Sequence, residues 1–170
     1  MPRITEINPE QASETVKEVI QRHLASGHQL TGEKRTLLHN VVAFETVESG
    51  SYALDDELQR LIGKRAADFY EYAISQKNEC LVCTTYFGNL LRRNHIDFKT
   101  FAFTPKEELL IEYGRAIAGN PKNVSDELFS RMKEAFTEEE IVVITAMGVM
   151  MIANNYFNDI LQVKPDQPVG

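Results

Sequence analysis

Between Ile141 and Phe157 the chain is apolar nearly all the way round a helix, broken only by Thr145, Gly148, Asn154 and Asn155. Such a segment has no wet face to offer, so it belongs at the centre of a helical body or at a subunit interface. Ahead of it, Thr137-Glu138-Glu139-Glu140 is a capping box that fixes where the helix begins. Asparagines buried in such a helix need hydrogen-bond partners, so Asn154 and Asn155 are expected to tie neighbouring helix ends or turns together.

The rest of the chain supplies helices to surround it. Asn8-Pro9-Glu10 is an N-cap with proline at the first helical position, and Ala12, Val16, Val19, Ile20 and Leu24 form one stripe that Gly27 ends. The polar run from Ser26 to Gly32 reads as a loop with a solvated His28. A second helix, containing His39, is expected from Glu33 to about Ser49, punctuated by Gly50-Ser51. A third opens at Leu54-Asp55-Asp56-Glu57 and runs to about Gln76, burying Leu58, Leu61, Ile62, Phe69, Tyr72 and Ala73. Phe98, Phe101 and Phe103 plug a later connection into the body. Thr104-Pro105-Lys106-Glu107 opens another helix that Gly119-Asn120-Pro121 stops, and Ser125 caps a short one. No run alternates at strand period and no hairpin dipeptide occurs, so the expected fold is all-α, with about seven helices.

At 170 residues the chain is one domain's worth, and its 43% apolar and 25% charged shares are those of a globular protein. A net charge of -7 disfavours nucleic acid and anionic membrane surfaces as partners. The N-terminus has no apolar targeting core, and no stretch reaches membrane-span length without polar residues, which points to the cytoplasm. The apolar excess around Met147, Met150 and Met151 predicts a homo-oligomer.

The chemistry gathers at Cys80 and Cys83, the only cysteines, spaced C-x-x-C. Asn78 is a plausible N-cap and Leu81, Thr84, Phe87, Leu90 and Leu91 continue a periodic face, so a helix start at Asn78 is expected, with Cys80 its second residue. Unpaired backbone N–H groups and the helix dipole favour a thiolate at Cys80, and sulfurs at i, i+3 can close a reversible disulfide. Two cysteines on one face can equally be core, and a zinc site needs two more ligands where only His95 follows. No metal or cofactor is expected. The thioredoxin-like reading demands a βαβ pattern that is absent, and no P-loop, G-x-G-x-x-G, nucleophile elbow or H-E-x-x-H occurs. Asp68, Glu71 and Tyr72, ahead of the Lys77-Asn78 turn, are the natural neighbours of the thiols, with Glu71 read as a solvated face residue.

An all-helical acidic chain in which C-x-x-C opens a helix resembles the alkylhydroperoxidase D-like branch of the carboxymuconolactone decarboxylase superfamily. That family shows an acid twelve residues before the first cysteine, a small polar turn just ahead of it and a histidine four residues after the second. Here those positions hold Asp68, Lys77-Asn78-Glu79 and Phe87. The segment from Phe136 to Asn155 is similar to the family's last long helix, so the likeness covers about residues 37–161. It implies a helical domain over 37–163, an extra helical arm at 1–36 and a flexible tail at 164–170. It also implies a trimer or hexamer that reduces small hydroperoxides through the cysteine pair, with a dithiol donor such as a lipoyl protein re-reducing the disulfide. Cys83 would attack peroxide and Cys80 resolve, although the helix dipole favours Cys80 as the thiolate. Catalytic roles fall on Cys80, Cys83 and Asp68; Asp68 is a methylene shorter than the usual glutamate, and Phe87 cannot relay a proton. The alternatives are a lyase of the decarboxylase branch and a non-catalytic redox sensor or helical oligomer.

Overall fold

The structure, a computed structural model, describes residues 1–166. Eight α-helices and two 3-10 turns account for its regular elements, and no strand occurs among the described residues. The α-helices are α1 (Glu14–Ala25), α2 (Gly32–Leu37), α3 (Val41–Ile62), α4 (Lys64–Lys77), α5 (Leu81–Arg93), α6 (Pro105–Gly119), α7 (Asp126–Ala135) and α8 (Glu138–Leu161). Three starts follow their sequence signals directly. The Thr104 and Thr137 capping boxes both form, and Ser125 caps α7 through the Leu128 N–H.

The first half of the chain breaks elsewhere than its punctuation indicates. Asn8 caps only a 3-10 turn at Pro9–Gln11, and α1 starts afresh with Ser13 as its cap. Gly50-Ser51 does not interrupt α3. Gly50 faces α8, where an added Cβ would lie 3.3 Å from Met150 Cε, and Ser51 Oγ accepts from Asn154 Nδ2 at 3.3 Å. The glycine therefore lies inside a continuous helix beside the flexible tip of Met150, and Asp55 is a mid-helix residue, not a cap. The actual breaks are at Asn40, whose side chain caps Ala43 N–H, and at Gly63, whose φ of +85° only glycine adopts without strain.

The hub is α4, which buries Ala67, Asp68, Phe69, Tyr70, Glu71, Ala73, Ile74 and Ser75 and packs on α3, α5, α6 and α8. Tyr70 is seated between two glycines: an added Cβ at Gly114 would meet its ring at 3.0 Å, and one at Gly148 would meet its hydroxyl at 2.1 Å. That approach lets Tyr70 Oη donate to Ile144 O at 2.8 Å. On its opposite side Phe69 packs among Phe98, Phe101 and Phe103, as the aromatic connection predicts.

α8 is central on one face only. Ile141, Ile144, Met147, Gly148 and Met151 enter the main core, while Val142, Val149, Tyr156 and Ile160 stand exposed. Among the described residues it is the one helix long and apolar enough to cross a membrane; in this fold its buried face packs on α3, α4, α5 and α6. Residues 1–36 lie against the body: Arg3 N–H donates to Leu161 O at 2.9 Å, and Val19 and Ile20 share a cluster with Leu37, Leu38 and Phe44. Of the tail expected at 164–170, positions 167–170 lie outside the described residues.

Candidate active site

The turn that presents the cysteines is built from three consecutive residues with different jobs. Asn78 is the C-cap of α4 and not the N-cap of the next helix. Its side chain donates to Ala118 O at 3.0 Å and accepts from Asn155 Nδ2 at 3.0 Å, so Asn155 ties a helix end as its buried position requires. Glu79 takes φ +59°, the left-handed conformation that reverses the chain. Cys80 is then itself the N-cap of α5, two residues later than the sequence indicates. Its N–H donates to Ser75 O at 3.1 Å and its Sγ accepts the Cys83 N–H at 3.4 Å.

Both cysteines are buried free thiols. The Cys83 thiol donates to Cys80 Sγ, and this bond, with the Cys83 N–H, lowers the Cys80 pKa against the cost of burial. The same bond and burial raise that of Cys83, which also accepts Asn158 Nδ2–H at 3.5 Å. Of the two sulfurs, Cys80 is therefore the more readily deprotonated.

Cys83 opens on a cavity of about 360 Å³; Cys80 does not line it. Val82, Phe87, Leu90, Met147 and Met151 form its apolar wall. Asp68 lines it and accepts Lys64 Nζ on both oxygens, at 2.9 and 3.1 Å; burial raises its pKa despite that ion pair. Glu71 lines it too, 4% exposed and not on a solvated face, with Oε1 unpartnered. Burial, and then the charges of Asp55 and Asp68, push its carboxyl well above the ordinary range, which favours the protonated form. Tyr72 packs edge-on to Phe98, among the residues of the Phe69 cluster, and does not line the cavity. His95 follows the far end of α5, and His39 is exposed, bonded to Thr5 O.

Nothing in the sequence marks the rest of the wall. His28, read as solvated, is half-buried and stacked on Tyr52 at 3.7 Å. Lys34 pairs with buried Glu48 at 3.1 Å. Glu33, on α2, accepts from Asn158 and is raised by burial to about 7. These residues come from segments that the motif around Cys80 does not reach. Asn158 alone carries a faint signal, four residues beyond Asn154 on the apolar helix.

This is the alkylhydroperoxidase D-like fold with a dithiol opening on an acid-lined cavity. The chain superposes on the crystal structure of the alkylhydroperoxidase AhpD core of an uncharacterized peroxidase-related protein from Ralstonia eutropha JMP134 with a TM-score of 0.74 at 17% identity, over 98% of this chain and 93% of that one. An uncharacterized peroxidase-related protein from Silicibacter sp. TM1040 matches equally, with a TM-score of 0.74 at 10% identity, over 95% and 92% of the two chains. No protein-family model matches the sequence, and no curated protein matches it significantly.

Proposed function

We propose that the protein is a thiol-dependent hydroperoxide reductase. The observation that carries this reading is the paired C-x-x-C at the start of α5: Cys80 Sγ caps the helix through the Cys83 N–H, and Cys83 faces a cavity lined by acids. Cys83 Sγ attacks the distal oxygen of a hydroperoxide while its proton passes to Cys80. The S–O bond forms, the O–O bond breaks, and the departing alkoxide takes a proton from an acid of the wall. Cys80 then attacks the Cys83 sulfenic acid; the disulfide forms and water leaves. A dithiol of the lipoyl type returns both electrons by exchange and restores the protons.

Asp68 stands at the position of the family acid and lines the cavity through its Lys64 pair, which supports a role in this proton traffic. The exposed stripe of Val142, Val149, Tyr156 and Ile160 supports a homo-oligomer, for which the resemblance implies a trimer or hexamer. The test is a thiol count with turnover. One equivalent of organic hydroperoxide should consume both thiols, yield the Cys80–Cys83 disulfide by mass spectrometry, and be consumed over many cycles when a lipoyl dithiol is supplied. Thiol loss without turnover would make the pair a sensor; two surviving thiols would return it to the core.

A further inference from the structure

α4 and α5 are antiparallel and joined by only three residues, so each step back along α4 from Asn78 faces a step forward along α5. Ser75, whose carbonyl accepts the Cys80 N–H, marks the register. Lys64, Asp68, Glu71 and Ser75 follow at helical spacing on one face, a line that leads from the outer cavity to the cysteine turn. Glu71 is thus one turn closer to the sulfurs than Asp68, and it opposes the part of α5 where Cys83 and Phe87 line the cavity. Asp68 spends both oxygens on Lys64, whereas Glu71 leaves Oε1 buried, unpartnered and inside the cavity wall. An unpaired carboxyl in such a place is costly unless a ligand completes it.

We propose that Glu71 is the catalytic acid of this site: its carboxyl hydrogen-bonds the proximal oxygen of the hydroperoxide and delivers its proton to the departing alkoxide. This rests on the hydroperoxide reading above. The O–O bond breaks as Cys83 Sγ takes the distal oxygen; the proximal oxygen leaves as alcohol carrying the Glu71 proton, and the carboxylate left behind is reprotonated when the dithiol donor reduces the disulfide. A protonated carboxyl is the form this step needs, and burial without a partner for Oε1 favours it. The charged groups that act on Glu71 are Asp55 from α3 and Asp68 and Lys64 from α4; Cys83 and Tyr86 of α5, Glu33 and Lys34 of α2, Glu48 and Tyr52 of α3, His28 and Asp166 line the same cavity, and α8 lines it with Met147, Met151 and Asn154.

The experiment compares oxidants by leaving group. Glu71→Gln keeps the shape and a hydrogen-bond donor but has no proton to release. Single-turnover oxidation by tert-butyl hydroperoxide should slow by ~10²–10⁴-fold, whereas oxidation by peracetic acid, which departs as acetate and needs no acid, should stay within about threefold of the parent. Equal slowing with both oxidants, or none with either, overturns the proposal. The parent offers a second measurement that needs no variant: its rates with a series of alkyl hydroperoxides should depend only weakly on the pKa of the departing alcohol. A steep dependence there refutes the assignment. If the parent forms no Cys80–Cys83 disulfide with either oxidant, the hydroperoxide reading itself fails and this proposal with it.

Discussion

Replacing Gly148 by alanine should unseat α4 from α8 at a single point. A Cβ at this position lies 2.1 Å from Tyr70 Oη, 2.5 Å from Ile117 Cδ1 and 3.1 Å from Tyr70 Cζ, and distances below 3.0 Å require something to move. Neither neighbour can yield cheaply. Tyr70 is 0% exposed, hemmed in on its other flank by Gly114, and its hydroxyl is committed to Ile144 O. Overpacking in a closed core costs about 1–3 kcal/mol. A hydroxyl driven off its buried acceptor adds about 1–3 kcal/mol, and the better helix propensity of alanine returns about 1 kcal/mol. The net loss is about 1–5 kcal/mol, which for a domain of this size lowers Tm by roughly 2–20 °C. Thermal denaturation followed by circular dichroism reads it. Gly50→Ala is the control of opposite sign, because the only atom within reach of its Cβ is the flexible tip of Met150 at 3.3 Å, so propensity should stabilise it by about 0.5–1 kcal/mol. In the Tyr70→Phe background the added cost of Gly148→Ala should shrink, since the closest atom is gone. A Gly148→Ala variant as stable as Gly50→Ala would show that Tyr70 does not occupy this seat.

Phe87→His puts a titratable ring on the Cys83 wall and should raise hydroperoxide turnover, while Asp68→Asn lowers it, both read by steady-state kinetics with a lipoyl dithiol; a parent that Phe87→His slows would show that a ring here adds no proton route beside the carboxyls of α4. Glu33 has a folded-state pKa of about 7 against an ordinary value of 4.5, so the stability it contributes is complete below pH 4.5 and is lost as pH rises to and through 7, on the order of 1–3 kcal/mol for this half-buried group. Urea melts across that window should show the loss in the parent and a flatter profile in Glu33→Gln; identical profiles would contradict the assignment. Light scattering at micromolar concentration should give an oligomer mass that Val149→Lys reduces, and a sharp parent monomer would remove the role assigned to the exposed α8 stripe.

Where local chemistry alone decides an element, the sequence displays it. Thr104 and Thr137 each face a glutamate three residues on, and both boxes form because they satisfy orphan N–H groups whatever the tertiary surroundings. Gly50 and Gly63 carry the opposite lesson. The two look alike as punctuation, but one is a contact between α3 and α8 and the other a left-handed break, and only the partner helix or the backbone angle distinguishes them. Leu54-Asp55-Asp56-Glu57 imitates a cap for the same reason: an aspartate ahead of acids has the composition of a first turn, while its place in α3 serves the cavity.

The site divides along the same line. Spacing on one hairpin of helices makes Cys80, Cys83 and Asp68 candidates in the sequence; Cys83 and Asp68 line one cavity, and Cys80 does not. Glu71 is the informative failure. On a helical wheel it falls beside Asp68 with a charged side chain, which reads as solvent-facing unless α4 is enclosed by α3, α5, α6 and α8, as it is. A carboxyl that the fold buries in a cavity, without a partner for one oxygen, is opposed by desolvation and by two acidic neighbours. Structural packing alone would have favoured an apolar residue there. Phe87 stands on the facing helix at the position where the family carries its titratable ring. The two irregularities stand on facing helices: α5 carries an apolar ring where a proton-carrying side chain would help the proposed chemistry, and α4 buries an unpartnered carboxyl in the same cavity, which is the pairing that the Glu71 proposal needs.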